Sequence, residues 1–116
     1  MARVLIVEDD AFVGFDLAHQ LARAGFTVVG VAMDVAQGLD LITNQGCDAA
    51  VLDVNLGAET AEPVAHELIA RNVPFVTVSG YARHQHPSVF SRAPYLAKPV
   101  RIDRLVAELQ RSISGP

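Results

Sequence analysis

The feature that most constrains the fold is a regular alternation of short apolar runs with longer amphipathic stretches. The apolar runs have the length of strands and are rich in β-branched residues and leucine; they cover residues 4–7, 26–31, 49–52, 75–78 and 95–97. Because these runs lack polar alternation, the strands are expected to be buried on both faces. The pattern therefore predicts an α/β fold in which helices cover both faces of a five-stranded parallel sheet.

The first two helices carry their own start and stop signals. Asp10 and Asp34 can each cap a helix N-terminus, while Gly25 and Gly46 follow the two periodic stretches. In the first stretch, apolar side chains recur at helical spacing and predict one face of the helix. These side chains are Val13, Leu17, Leu21 and Ala24.

The later segments differ in regularity. Residues 60–71 and 101–113 predict two further helices, and the segment around Gly57 predicts a loop. Residues 82–93 contain Pro87 and scattered polar side chains, which indicates a short or irregular helix.

Length and composition predict one domain over residues 1–116. Apolar residues make up 51% of the chain, which excludes a disordered protein, yet no apolar run approaches the ~18 residues of a membrane span. A net charge of −4 argues mildly against a nucleic-acid partner. The sole cysteine, Cys47, cannot form an internal disulfide, and the N-terminus has no signal-peptide pattern. The expected location is therefore the cytoplasm.

Polar side chains follow four of the five predicted strands at the point where each strand ends. They are Glu8, Asp9 and Asp10 after the first strand, Asp53 after the third, Ser79 after the fourth and Lys98 after the fifth. In open parallel sheets, ligands bind beyond the carboxyl ends of the strands. Clustered carboxylates repel one another, and a hard divalent cation such as Mg²⁺ relieves that repulsion. The sequence therefore predicts a cation site at this edge.

Four segments, in order along the chain and each at a predicted strand end, resemble the signature of response-regulator receiver domains. They are Leu-Ile-Val-Glu-Asp-Asp at residues 5–10, Val-Leu-Asp at 51–53, Val-Ser-Gly at 78–80 and Tyr-Leu-Ala-Lys-Pro at 95–99. The resemblance covers essentially the whole chain. It implies a flavodoxin-like (βα)5 fold with strand order 2-1-3-4-5, and a role in two-component or phosphorelay signal transduction.

The resemblance also implies a role for several side chains at this edge. Asp53 would be the phosphoacceptor, and Lys98 would contact the phosphoryl oxygens. Ser79 would be the hydroxyl that moves toward the phosphate, and Tyr95 would be the aromatic residue that turns inward on activation.

A metal site is implied at the same place. Asp9 would bind Mg²⁺ (or Mn²⁺) directly, and Glu8 directly or through water. Asp53 and the backbone carbonyl of Asn55 would supply further ligands. Asn55 and Tyr81 would also lie beside the phosphate.

Two positions depart from the family pattern. The loop after Asp53 reads Asn-Leu-Gly-Ala-Glu at residues 55–59, without the common proline, and Ser79 stands where threonine is commoner. Thr77 is a near rival for the switch position. Ser79 is preferred because it closes the strand and precedes Gly80, whereas Thr77 is expected to point elsewhere.

The implied partners are a histidine kinase or histidine phosphotransferase as phosphoryl donor, and an unidentified downstream protein target. Neither nucleic acid nor a membrane is expected as a partner. The leading hypothesis is a stand-alone phosphoacceptor, because the chain ends soon after the last predicted helix. A receiver excised from a hybrid histidine kinase or a longer regulator is the alternative.

Two other classes of function fit less well. A phosphatase with an aspartyl nucleophile would place a second aspartate two residues after the first, where Asn55 stands. No enzyme is therefore expected beyond self-phosphorylation from a phosphodonor and slow self-dephosphorylation. A flavin-binding protein would need a phosphate-cradling loop after the first strand, where Glu8, Asp9 and Asp10 would repel a phosphate.

Overall fold

Five parallel strands form the central sheet of the computed structural model, which describes residues 1–80 and 87–115. The strands are β1 (Arg3–Val7), β2 (Thr27–Ala32), β3 (Ala49–Asp53), β6 (Phe75–Ser79) and β7 (Tyr95–Ala97). Their order in the sheet is β2-β1-β3-β6-β7. Two further strands, β4 (Asn55–Leu56) and β5 (Glu59–Thr60), form a separate antiparallel hairpin.

Within residues 1–80 and 87–115, four α-helices and a short 3₁₀ helix accompany the strands. They are α1 (Ala11–Arg23), α2 (Val35–Asn44), α3 (Glu62–Ala70), the 3₁₀ helix Ser88–Arg92 and α4 (Ile102–Ser114). The predicted caps are confirmed: an Asp10 oxygen accepts hydrogen bonds from the N–H groups of Phe12 and Val13, and an Asp34 oxygen accepts one from Gln37. These side chains satisfy donors that the first helical turn leaves unpaired.

The sheet separates two apolar layers. On one face, α1 and α4 contribute Leu17, Leu21, Leu105 and Leu109 to a buried cluster with alternate residues of β1, β3 and β6. On the other face, α2, α3 and the 3₁₀ helix cover the remaining strand residues. Strands β1, β3 and β6 are therefore buried on both faces, as their uninterrupted apolar sequences predict.

Helix α1 lies unusually close to the sheet at Gly14. A Cβ atom at this position would lie 2.6 Å from Cγ1 of Val31 and 3.6 Å from Cβ of Glu8. Gly14 is buried, whereas Val13, which the apolar spacing places on the helix face, is 39% exposed. The close approach turns α1 so that Gly14 rather than Val13 meets the strands.

The hairpin corrects two sequence predictions. The segment around Gly57 is an ordered turn between two short strands rather than a plain loop, and α3 begins at Glu62 rather than at residue 60. A start at residue 60 would place Pro63 where its missing N–H would be needed for the first helical hydrogen bond. With the helix starting at Glu62, Pro63 lies in the first turn, where no N–H is required.

The segment predicted as irregular is described in part. Its residues from Pro87 onward form the 3₁₀ helix Ser88–Arg92, whose Val89 and Phe90 are buried. Residues 81–86 and 116 lie outside the described residues, and with them Tyr81. None of the described helices is long and apolar enough to span a membrane.

Candidate functional site

The predicted polar residues converge at the carboxyl edge of the sheet, where the connections between successive strands change direction. Strand β1 pairs with β2 on one side and with β3 on the other, so connections run outward from it both ways. Glu8 follows β1 directly, and Asp53 ends β3. Because the two strands are parallel neighbours, both carboxylates leave the sheet at the same edge.

Lys98 joins these two carboxylates. Its Nζ donates a hydrogen bond to Oε1 of Glu8 and another to Oδ2 of Asp53, each at 2.9 Å. The side chains of Glu8 and Asp53 are only 1% and 5% exposed, while that of Lys98 is 30% exposed. The lysine therefore reaches the two buried acids from the open edge of the sheet.

The surroundings act on the pKa of Lys98 in opposite directions. Burial disfavours the charged ammonium, but the hydrogen bonds and charges of Asp53 and Glu8 outweigh it, so the pKa of Lys98 is raised above its ordinary value. Lys98 is thus a fixed cation at neutral pH, held beside the carboxylate that ends β3.

The remaining carboxylate oxygens are oriented by the backbone. Oε2 of Glu8 accepts a hydrogen bond from the Asp10 N–H at 3.1 Å, and Oδ1 of Asp53 accepts one from the Asn55 N–H at 3.3 Å. Each buried acid therefore has one oxygen on Lys98 and the other on a backbone donor. Such bonding fixes the orientation of both carboxylates.

Asp9 completes a cluster that fits a hard cation. Glu8, Asp9 and Asp53 each offer an oxygen within 4.8 Å of the others. With Lys98 counted, the formal charge is about −2, which one divalent cation offsets. An all-oxygen set of this kind suits Mg²⁺ or Mn²⁺ rather than a metal that prefers sulfur or nitrogen.

The hairpin brings the Asn55 backbone to the same place. The Ala61 N–H donates to the Val54 carbonyl at 2.9 Å, one step outside the Asn55–Thr60 pair. That bond marks Asn55 and Thr60 as a non-hydrogen-bonded pair, so the ladder does not use the Asn55 N–H and carbonyl. In an extended residue both groups point to the same side, and the Asn55 N–H points at Asp53. The Asn55 carbonyl therefore faces the acidic cluster.

Ser79 and Tyr95 lie next to Lys98 on the last two strands. Ser79 is fully buried at the end of β6, and its carbonyl accepts a hydrogen bond from the Lys98 N–H at 2.9 Å. Tyr95 is half-buried and lies opposite Thr77 in the parallel β6–β7 pair. A backbone hydrogen bond thus joins Ser79, the predicted switch residue, to Lys98, the predicted phosphate-binding lysine.

The expectation about Thr77 is wrong in one respect. Residues two apart in a strand point the same way, so Thr77 and Ser79 share a face of β6. Depth along the strand separates them: the Thr77 hydroxyl donates to the Pro94 carbonyl at 2.9 Å, in the interior. Ser79, at the strand end, is the hydroxyl nearer the edge.

Comparison with known proteins identifies the family. The family model of the response regulator receiver domain matches residues 4–110. The chain belongs to this family. The five-stranded order β2-β1-β3-β6-β7 is the order 2-1-3-4-5 predicted for a receiver domain once the hairpin strands are left out.

Individual relatives agree with this assignment. The Transcriptional regulatory protein PdtaR of Mycobacterium tuberculosis is 27% identical over 116 residues, which cover 97% of this chain and 57% of PdtaR. A CheY-like receiver domain protein from Methanospirillum hungatei superposes with a TM-score of 0.86 at 27% identity, covering 97% of this chain and 94% of that one. The response regulator TrrA of Thermotoga maritima, solved in complex with Mg(2+)-BeF, gives 0.84 at 19% identity, covering 97% and 99%. The chain spans about half the length of the curated relatives that it matches.

One surface of this receiver domain was missed from the sequence. Phe12 and Phe15, on the outer face of α1, are 90% and 61% exposed. A usable signal was present, because both residues fall out of phase with the apolar stripe of Leu17 and Leu21. Because residues three apart in a helix are neighbours on its surface, Phe12 and Phe15 form one exposed aromatic patch.

Proposed function

We propose that this receiver domain accepts a phosphoryl group on Asp53 and relays that event to a partner protein. The observation that carries the proposal is the buried Asp53 carboxylate, held by Lys98 at 2.9 Å and grouped with the Glu8 and Asp9 carboxylates. The phosphoryl donor is a histidine kinase or a histidine phosphotransferase, and the reaction takes place in the cytoplasm.

The reaction is a transfer between two protein side chains. An Asp53 oxygen forms a bond to phosphorus as the phosphorus–nitrogen bond of a phosphohistidine breaks, which leaves an acyl phosphate on Asp53 and a neutral histidine on the donor after protonation. Lys98 stabilises the charge on the phosphoryl oxygens, because its ammonium already lies against Asp53. No turnover of any other substrate is proposed.

Glu8, Asp9, Asp53 and the Asn55 carbonyl would hold Mg²⁺ (or Mn²⁺). The metal supplies charge neutralisation for the transferring group. Support comes from the oxygen set within 4.8 Å and from the direction of the Asn55 carbonyl, and the TrrA structure carries the same ion.

The switch follows from the position of Ser79. A phosphoryl group on Asp53 adds charge and acceptor oxygens at the edge where Ser79 ends β6. The Ser79 hydroxyl turns toward those oxygens, and Tyr95 on the adjacent strand moves inward. Tyr95 is half-buried, so an inward movement would lower its exposure to solvent.

The outer face of α1 is proposed as the surface that receives the donor protein. Phe12 lies two residues after Asp10, the cap that immediately follows the acidic cluster, so a protein seated on Phe12 and Phe15 would place its phosphohistidine near Asp53. Exposed aromatic residues are the side chains that most often dominate binding energy at protein interfaces.

A direct test is incubation of the protein with Mg²⁺ and acetyl phosphate, followed by intact mass measurement. We expect the wild type to gain one phosphoryl group and Asp53→Asn to gain none. Asp9→Asn serves as the matched control, because it keeps the acceptor while it weakens the metal site. Equal labelling of wild type and Asp53→Asn would refute the proposal.

A further inference from the structure

Glu59 links the hairpin to a distant part of the fold. Its Oε2 accepts a hydrogen bond from the N–H of Val35 at 3.1 Å, across 24 residues of sequence. Val35 is the first residue of α2, which follows the sheet-edge strand β2. Glu59 itself lies in β5, the outer strand of the hairpin.

The hairpin needs such a link because it is small. Each strand has two residues, and the turn between them is made by Gly57, at φ +67°, and Ala58. A two-stranded hairpin of this size is not stable by itself in water. Its inner strand is held by the Asp53 carboxylate, which accepts the Asn55 N–H. Its outer strand is held at one end by the Ala61 N–H, which donates to the Val54 carbonyl, and at the turn end by the Glu59 contact.

Helix α2 is capped at its start by more than one side chain. Asp34 accepts a hydrogen bond from the Gln37 N–H at 2.8 Å, and the Gln37 side chain accepts one from the Met33 N–H at 2.9 Å. Asp34 thus satisfies one of the donors that the first turn of α2 leaves unpaired, and Glu59 satisfies another, the Val35 N–H. The Glu59–Val35 bond therefore joins the start of α2 to the outer strand of the hairpin.

The pair that contains Glu59 is one step along the hairpin from Asn55, whose carbonyl is proposed as a metal ligand. Because Asn55 and Thr60 form a non-hydrogen-bonded pair, Leu56 and Glu59 are the hydrogen-bonded pair of the hairpin. The turn also meets the acidic cluster, since a Cβ on Gly57 would lie 4.0 Å from Oδ2 of Asp9. Movement of Glu59 would therefore displace Asn55 relative to Asp9.

We propose that Glu59 is a positioning residue, which ties the hairpin to α2 so that the Asn55 carbonyl stays directed at Glu8, Asp9 and Asp53. The inference rests on the proposed function, because it assigns the carbonyl to a metal. In the absence of the tether the carbonyl would sample other directions, and ordering it would weaken cation binding.

The test compares Mg²⁺ affinity, by calorimetric titration, in wild type, Glu59→Ala, Glu59→Gln and Glu62→Gln. Glutamine keeps an acceptor oxygen for the Val35 N–H but has no charge, so Glu59→Gln should stay within about twofold of wild type. Glu59→Ala should bind Mg²⁺ about fivefold more weakly, the factor that corresponds to one hydrogen bond of about 1 kcal/mol. Glu62→Gln removes a nearby charge without touching the hairpin bond, and should match Glu59→Gln.

Equal weakening by Glu59→Ala and Glu59→Gln would show that only charge matters and would overturn the proposal, as would no weakening by Glu59→Ala. Amide exchange of residues 54–60 in the metal-free protein gives a second readout, in which only Glu59→Ala should accelerate exchange. If the wild type neither binds Mg²⁺ nor takes a phosphoryl group, the proposed function fails, while this exchange result still decides whether Glu59 holds the hairpin. Unchanged exchange in Glu59→Ala would overturn the tether itself.

Discussion

Two sets of ion pairs in this receiver domain have similar lengths but differ in burial and in the sequence separation of their partners. On the surface of α3, Arg71 and Glu67 approach to 2.7 Å, with side chains 42% and 39% exposed. At the sheet edge, Lys98 lies 2.9 Å from Glu8 and from Asp53, whose side chains are almost fully buried. The shorter contact is the weaker one, because water competes for both of its partners.

The difference shows what each arrangement is suited to do. The helical pair joins residues four apart and adds a few tenths of a kcal/mol to local helix stability. The Lys98 pairs join residues 45 and 90 positions apart, and they leave an excess of negative charge at an open edge. Such an excess destabilises the fold, but it favours the binding of a cation at this edge.

Replacement of Lys98, whose ammonium lies between Glu8 and Asp53, should have the largest effect on stability. We expect Lys98→Met to lower the free energy of unfolding in metal-free buffer by about 3 kcal/mol, because it leaves Glu8 and Asp53 buried without their counter-charge. Arg111→Met, which removes an exposed partner of Glu108, should cost no more than about 0.5 kcal/mol. Urea denaturation measures both. A similar cost for the two variants would erase the distinction between the sheet edge and the helix surfaces.

The exposed face of α1 offers the next test. Phe12→Ala should reduce phosphotransfer from a histidine phosphotransferase about tenfold, the effect of losing one interface anchor. Labelling by acetyl phosphate should not change, because this donor needs no docking surface, and unfolding should not change because Phe12 is 90% exposed. An equal loss of phosphorylation with both donors would show that Phe12 acts on the phosphorylation site itself and not on docking of the donor protein.

The hydroxyls of Thr77 and Ser79 on β6 should have different roles, the first in stability and the second in switching. Thr77→Val should cost about 1 kcal/mol of unfolding free energy, because it removes the hydrogen bond from the buried Thr77 hydroxyl to the Pro94 carbonyl, which also accepts the Thr77 N–H. It should leave the conformational response intact. Ser79→Ala should still accept a phosphoryl group but lose the change in Tyr95 amide chemical shift that follows phosphorylation of the wild type. If Thr77→Val abolishes that change and Ser79→Ala does not, the switch assignment belongs to Thr77.

The smallest expected effect concerns the pKa of the Cys47 thiol, whose surroundings contrast with those of Lys98. Burial, reinforced by the neighbouring Asp48 carboxylate, raises the pKa of the Cys47 thiol above its ordinary value of 9.0. Burial opposes charge on both groups. Asp53 and Glu8 outweigh it at Lys98, whereas Arg3 and Arg71, which favour the thiolate, do not outweigh it at Cys47. Because the folded pKa lies above the unfolded one, the neutral thiol contributes stability at lower pH, and that contribution is lost as pH rises through the folded pKa.

The alkylation rate of Cys47 by iodoacetamide, followed against pH, checks this shift. The midpoint should lie above 9.0 in the folded protein and near that value in urea. Coincident midpoints in the folded and unfolded protein would contradict a buried thiol. Cys47→Ser supplies the unlabelled control.

The agreement between sequence and structure is uneven for a physical reason. Strand ends are local features, so Glu8, Asp53, Ser79 and Lys98 could be assigned to one edge from their positions after apolar runs. The N-caps Asp10 and Asp34 are equally local and were also confirmed. The hairpin was missed because β4 and β5 contain two residues each, too few to show a periodic pattern.

By itself, then, the sequence determined the order along the chain of the five central strands and the α-helices, the buried faces of the central strands and the set of polar residues at the carboxyl edge. Tertiary structure alone decided which oxygens Lys98 contacts, how closely α1 approaches at Gly14, and which way the Asn55 carbonyl points. These depend on contacts between elements far apart in the chain, such as the bond from Glu59 to Val35. A periodic pattern records which face of an element is apolar, but not the neighbour that the face will meet.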